Sequence, residues 1–366
     1  MKIQMVDLLR QYQELKNEID DSIHKVLDLG QFILGPDVKE LEKELASYVG
    51  VKHAIACGNG TDALQISLMA LGVGPGDEVV TTPFTFVATA EVAALLGAKT
   101  VFADIREESF NIDPKDVERK ITKSTKAIVP VHLYGLPADM EELLKISESK
   151  GIPIVEDAAQ AFGAEYRGRK VCSFGKIGCV SFFPSKNLGA YGDGGMVFTN
   201  DDALASKIRA IASHGSEKKY YHDYIGVNSR LDSIQAAILR VKLKHLDRYN
   251  ELRSKFGGMY TERLCGDVIT PGTFPDRKHI FHQYTIRTGQ RDKLFDFLKE
   301  LGIPSAIYYP VPLHLQKAYQ YAGYKKGDFP VSEKLSQEVL SLPMHPHLKE
   351  EEVEFITTSI KNYFGK

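Results

Sequence analysis

His53-Ala54-Ile55-Ala56-Cys57-Gly58-Asn59-Gly60-Thr61-Asp62 opens the part of the chain whose reading decides the fold. The first five residues read as a short buried strand. The small and polar residues that follow read as a turn opening a helix over Ala63–Leu71. The same unit recurs downstream. Strands are predicted at Glu78–Thr81, Thr100–Ala103, Ala127–Val131, Ile152–Val155, Val180–Phe183 and Met196–Thr199. Helices are predicted from about Phe86 to Leu96, at Met140–Lys150 and at about Asp202–Ser213. Alternation of this kind implies an α/β fold, a mostly parallel sheet covered by helices.

Upstream, Leu8, Leu9, Tyr12, Leu15, Ile19, Ile23, Val26 and Leu27 have helical spacing over residues 8–28, and Gly30 closes that helix. An apolar loop, Gln31-Phe32-Ile33-Leu34-Gly35-Pro36, leads to a second helix at Asp37–Val49. Downstream, residues 215–229 form a Tyr- and charge-rich loop, and Leu231–Leu246 reads as a long helix. Past about residue 250 the pattern changes. Strands at His282–Arg287 and Ser305–Tyr309, with helices at Lys293–Leu301 and Glu350–Tyr363, predict a smaller α+β domain. The expected division is 1–245 for the N-terminal helices and large domain, and 246–366 for the small one.

The 366 residues leave ample room for a core, and 43% hydrophobic with 26% charged residues is ordinary globular composition. A net charge of −2 implies no general pull toward nucleic acid. The four cysteines, at 57, 172, 179 and 265, form no Cys-x-x-Cys pair and no zinc spacing, which predicts a reduced, cytoplasmic protein without a metal. The segment Met1–Asp7 lacks the apolar region of a signal peptide, and no run is long enough to span a membrane.

Several residues carry potential chemistry. The turn Gly58-Asn59-Gly60-Thr61, between strand and helix, suits an anion, although an ordinary helix cap is equally compatible. Asp157 ends a buried strand, where open α/β sheets bind ligands, and Gln160 follows one turn later. Phe86 follows strand 78–81, where an aromatic can lie on a planar ring or fill core. Lys186 lies in Ser181-Phe182-Phe183-Pro184-Ser185-Lys186-Asn187-Leu188-Gly189, between an apolar run and a Gly-rich segment. Burial there would lower its pKa and make its amine a nucleophile. Asn228 and Arg230 are donors at a loop–helix junction. Tyr309 and His314 sit in Tyr308-Tyr309-Pro310-Val311-Pro312-Leu313-His314, near a predicted strand end.

Asp157, Gln160, Ser181 and Lys186 fall at offsets 0, +3, +24 and +29. With Glu156-Asp157-Ala158-Ala159-Gln160, Ser181–Lys186 and Asn228-Ser229-Arg230-Leu231-Asp232-Ser233-Ile234-Gln235-Ala236-Ala237, the chain resembles the DegT/DnrJ/EryC1/StrS family of sugar aminotransferases. The resemblance runs from Phe32–Pro36 to Pro343-Met344-His345-Pro346. It implies the aspartate-aminotransferase-like fold type I, with a mostly parallel seven-stranded sheet, and pyridoxal 5′-phosphate (PLP) as cofactor, passing through pyridoxamine 5′-phosphate (PMP). Lys186 would be the Schiff-base lysine and proton shuttle. Asp157 would pair with the ring nitrogen, Gln160 with the ring hydroxyl, and Phe86 would stack on the ring. Gly60, Thr61 and Ser181 would hold the phosphate, joined by Asn228 of a second subunit in a homodimer with shared active sites.

The resemblance also implies an amino transfer from L-glutamate to a nucleotide-linked ketosugar, and Lys186 argues against the family's dehydratases, which have histidine there. Val227–Asp232, Tyr309–Leu313 and Phe162 look most like the branch that aminates C3 of UDP-2-acetamido-2-deoxy-3-oxo-D-glucuronate for surface polysaccharide. Arg230 is then the candidate for the uronate carboxylate, with Tyr309 and His314 as further substrate contacts. Tyr308 stands where many relatives have histidine. A dTDP-3-oxo-6-deoxyhexose is the nearest rival acceptor. From other classes, a PLP-binding regulatory or scaffold protein without turnover, and a generic nucleotide-binding protein, stay open.

Overall fold

The computed structural model describes residues 3–218 and 220–365. Met1 and Lys2 of the N-terminal segment and Lys219 of the 215–229 loop lie outside them. In chain order the elements are α1 (Leu8–Leu29), α2 (Pro36–Val49), β1 (His53–Cys57), α3 (Gly60–Ala70), β2 (Glu78–Thr81), α4 (Ala88–Leu95), β3 (Lys99–Phe102), α5 (Pro114–Lys120), β4 (Thr125–Ile128), α6 (Met140–Lys150) and β5 (Val155–Asp157). There follow β6 (Glu165–Tyr166), β7 (Arg169–Lys170), β8 (Ile177–Ser181), β9 (Gly195–Thr199), α7 (Asp202–Ala212), α8 (Ser233–Leu243) and α9 (Leu246–Leu264). The rest is β10 (Arg277–Lys278), β11 (Tyr284–Arg287), α10 (Arg291–Glu300), α11 (Pro330–Glu338), β12 (Val339–Leu342) and α12 (Glu350–Tyr363).

The helix ends follow local chemistry. The Asp7 carboxylate accepts from the Arg10 N–H at 2.9 Å to start α1. Gly30, at φ 68°, ends it by donating to the Val26 carbonyl, a left-handed conformation that suits glycine. Asn59 caps α3 through the Asp62 N–H at 2.8 Å.

Strands β3-β2-β4 form a three-stranded sheet and β5-β8-β9-β1 a four-stranded one, set edge to edge as seven strands. Parallel bridges Ile128↔Ile154 and Val131↔Asp157 join the two parts. The His132 and Asp157 N–H groups donate across the seam to the Asp157 and Pro130 carbonyls at 3.0 and 2.9 Å. Strand β9 runs antiparallel to β8 and β1, and the remaining pairings are parallel. Alternate side chains go to opposite faces. Ile55 and Cys57 pack with α3, α4 and α7, while Ala54 and Ala56 pack with α2 and α8. Val80, Val101 and Ile128 pack with α5 and α6. The parallel α/β prediction holds, and both faces are covered, as parallel sheets require. No helix among the described residues is long and apolar enough to cross a membrane.

The C-terminal elements share one core, in which Phe256, Tyr260 and Leu264 of α9 meet β11, β12, α10 and α12. We propose the division between the two parts at 245/246, where α8 gives way to α9. Three expectations are corrected. The helix predicted to Leu246 ends at Leu243, and α9 follows it as a separate helix that sequence reading missed. The strand predicted at Ser305–Tyr309 reduces to one bridge, Ala306↔Ser341, on the edge of β12 opposite β11. The strand predicted at Val180–Phe183 lies at Ile177–Ser181 instead, where Gly178 leaves room for Cys172.

Candidate active site

A cavity of about 840 Å³ opens at the carboxyl ends of β2, β5 and β8 and the first turn of α3. Segments 282–283 and 308–316 close its other wall. The fold dictates this place, since strand ends and helix starts converge there.

At one end lies the start of α3. Gly60 and Thr61 line the cavity with Ser181, and a Cβ on Gly60 would stand 2.6 Å from Ser181 Cβ. Glycine is therefore required by close approach. The turn is braced from behind. Ser229 Oγ accepts from the Gly58 N–H at 2.8 Å and donates to Asp62 at 2.6 Å. Its unpaired helix N–H groups make this end attractive to an anion.

At the deep end lies Asp157, 5% exposed at the tip of β5. Its Oδ2 accepts from the Thr89 hydroxyl at 2.7 Å and its Oδ1 from the Ala159 N–H at 3.1 Å. The preceding Glu156 faces the other way. Its buried carboxylate accepts from His132 Nε2 and from the N–H groups of Cys172, Phe174 and Gly175, all within 3.0 Å. His132 Nδ1 accepts from the Ala138 N–H, so the proton sits on Nε2. This network fixes β5, and with it Asp157.

Lys186 lies deep in the same cavity. Desolvation pushes its amine down to about 8, against the opposing attraction of Asp157. A large neutral fraction near pH 8 gives it a usable lone pair. Gln160 accepts from the Tyr134 N–H at 2.8 Å and donates to the Tyr309 hydroxyl at 3.0 Å. Burial raises the Tyr309 pKa, so the phenol keeps its proton. Phe86, 56% exposed, forms part of the wall.

Gly60, Thr61, Phe86, Asp157, Gln160, Ser181, Lys186 and Tyr309 thus meet in one cavity. Asn228 and Arg230 are not in its lining. Asn228 is exposed and pairs in a bridge with Ser213. His314 is corrected as a substrate contact. It is 1% exposed, its Nε2 lies 3.0 Å from Glu333, and its ring packs on Phe329, while Leu313 and Gln316 on either side line the cavity. Sequence reading missed Thr89, Tyr134, His282 and Gln283. Thr89 lay within the helix predicted from about Phe86 to Leu96, with nothing to mark its role, and the others carried no signal.

Residues 13–361 match the DegT/DnrJ/EryC1/StrS aminotransferase family. The chain is 54% identical to a "Pleiotropic regulatory protein" of Geobacillus stearothermophilus, covering 100% of this chain and 99% of the relative. It is 49% identical to the UDP-2-acetamido-2-deoxy-3-oxo-D-glucuronate aminotransferase of Pseudomonas aeruginosa, covering 98% and 100%. Among solved structures, S. venezuelae DesV in complex with a ketimine intermediate superposes with a TM-score of 0.97 at 41% identity, covering 100% and 99%. NtdA from Bacillus subtilis with bound cofactor PMP gives 0.90 at 30%, covering 99% and 83%.

Proposed function

This chain belongs to the DegT/DnrJ/EryC1/StrS aminotransferase family, and on that premise we propose that it moves the amino group of L-glutamate to C3 of a nucleotide-linked ketosugar. The acceptor we favour is UDP-2-acetamido-2-deoxy-3-oxo-D-glucuronate, as for the Pseudomonas relative, on a cytoplasmic route to surface polysaccharide. The observation that carries the reading is the convergence of Lys186, Asp157, Gln160, Ser181 and the Gly60–Thr61 turn on one cavity.

The residues present fit PLP. The anion-binding turn is kept open by Gly60, and a half-buried, desolvated amine and a buried carboxylate stand at the other end. When bound, the cofactor supplies a carbonyl to carry the amino group and a ring to delocalise charge from the reacting carbon. The chain's own groups do the rest. Gly60, Thr61 and Ser181 bind the phosphate. Asp157, fixed by Thr89 and Ala159, holds a proton on the ring nitrogen. Gln160, oriented by Tyr134 and Tyr309, keeps an N–H for the ring hydroxyl. Phe86, on the cavity wall, would stand against the ring. Lys186 alternates as nucleophile and as carrier of the proton taken from the substrate carbon.

Asn228 and Arg230 fall outside their own chain's cavity, so we assign them to that of a second copy in a homodimer. Asn228 would reach the phosphate, and Arg230 the uronate carboxylate. Tyr309 serves the sugar from within the chain. The Geobacillus relative favours a second reading, a regulator without turnover. Against it, a sensor has no use for a desolvated proton-carrying lysine.

Assay of L-glutamate with the 3-keto uronate and with a neutral 3-ketosugar tests the substrate. Arg230→Ala should raise KM for the uronate by about tenfold or more, the size of one charged hydrogen bond, and leave the neutral sugar nearly unchanged. Equal losses on both would remove Arg230 from carboxylate recognition.

A further inference from the structure

Asp62 lines the cavity in the first turn of α3, beside the groups assigned to an anion, yet it carries a negative charge itself. Its N–H donates to the cap residue Asn59 at 2.8 Å, which makes it the third residue of the helix. An acidic side chain at that position ordinarily turns back on the free N–H groups of the helix start. Those N–H groups are the donors assigned above to the phosphate. Here the Asp62 Oδ2 instead accepts from the Ser229 hydroxyl at 2.6 Å, a short, charge-assisted bond.

The same Ser229 oxygen accepts from the Gly58 N–H at 2.8 Å, so one side chain ties residue 58 to residue 62 across the turn. The Gly58 N–H can only donate and the ionised carboxylate can only accept, so the hydroxyl proton lies toward Asp62. Gly58 leaves room for this contact, since a Cβ there would stand 2.8 Å from Asp62 Oδ2 and 3.3 Å from Ser229 Oγ. Ser229 is itself placed from α7. The Val227 N–H donates to the Ile211 carbonyl at 2.8 Å, the His214 N–H to the Val227 carbonyl at 2.9 Å, and the Ser229 N–H to the Ala212 carbonyl at 3.0 Å. Alternation along this extended strip turns Ser229, 2% exposed, inward and leaves Asn228 exposed.

We propose that Ser229 is a positioning residue for the phosphate turn: its hydroxyl holds the Asp62 carboxylate off the N–H groups of Gly60 and Thr61, which the chain's own anion would otherwise occupy. The inference rests on the reading of that turn as the phosphate site, and it needs no second copy.

The test uses the full chain freed of cofactor and PMP as the probe, since PMP has no aldehyde to react with Lys186. Affinity is read by equilibrium dialysis. Ser229→Ala frees Asp62 to compete and should weaken PMP binding about tenfold, the size of one charge-assisted hydrogen bond. Asp62→Ala removes the competitor and should bind PMP as well as the wild type or better. The double variant should regain most of the tenfold loss, a recovery that a merely structural brace would not give. Unchanged affinity in Ser229→Ala, or a double variant as weak as Ser229→Ala, overturns the proposal. Should Ser229→Ala not fold, Asp62→Ala decides: affinity at or above that of the wild type supports the proposal, and a tenfold loss overturns it by making Asp62 a support of the turn. A wild type that does not bind PMP at all overturns the cofactor reading, and this inference with it.

Discussion

At the scale of single residues, the site depends on what is missing as much as on what is present. Gly60 has no Cβ, and one would stand 2.6 Å from Ser181 Cβ and 3.2 Å from Ser181 Cα. Gly60→Ala should therefore push the anion-binding turn off β8. We expect a loss of about 1–3 kcal/mol in denaturant unfolding, typical of overpacking, and PLP affinity about tenfold weaker by equilibrium dialysis. Unchanged affinity would mean that the turn does not hold the phosphate. Asp157 and Lys186 were legible in the sequence because their spacing with Gln160 and Ser181 resembles that of the sugar aminotransferase family. His282 and Thr89 were not, since one histidine or threonine on a strand edge or helix carries no periodic signal. His314 was misread because its partner Glu333 lies on α11, which sequence reading had not found.

At the scale of elements, the loop bearing Lys186 is held by helices distant in sequence. Gln235 of α8 accepts from the Tyr191 N–H at 2.8 Å, and Asn250 of α9 holds Asn187. Lys242 of α8 donates to the Gly189 carbonyl, its Nζ 5.1 Å from the Tyr191 ring centroid. Lys242 is 2% exposed, and burial pushes its amine from 10.5 down to about 7. Between those values the unfolded chain binds a proton that the folded chain does not, so stability from this group rises as pH increases. Lys242→Met should cut the gain in unfolding free energy between pH 7 and pH 9 by about 1–3 kcal/mol. Parallel slopes in variant and wild type would show that Lys242 is charged in the fold. Helix α8 was legible from its apolar spacing. Helix α9 was not, because its buried stripe contains Asn250 and Arg253 and its interior holds the helix-weakening pair Gly257-Gly258.

At the scale of the whole molecule, the alternation of strand and helix predicted the parallel sheet. Its single antiparallel strand, β9, was not predictable, because Gly195–Thr199 looks the same in either direction. The exposed apolar surface is the other feature that one chain leaves unresolved. Phe32, Ile33 and Leu34 are 46%, 50% and 50% exposed, on a loop whose Phe32 carbonyl accepts from the Ser233 N–H, and Ile225 is 89% exposed. Such surface suits the proposed homodimer. Ile225→Asp should shift the protein toward monomer in sedimentation velocity and weaken activity, because Asn228 and Arg230 would leave the second copy's cavity. A monomeric wild type with full activity would refute the shared site. The central claim, that Lys186 and the groups around it run an amino transfer through PLP, is tested most directly by the visible absorbance of the purified protein before and after L-glutamate, beside Lys186→Ala. The wild type should show a visible band that moves to the near ultraviolet with glutamate and returns when the 3-keto uronate is added, while Lys186→Ala should show no such exchange. A wild type that binds PLP but keeps its band through both additions would contradict the claim.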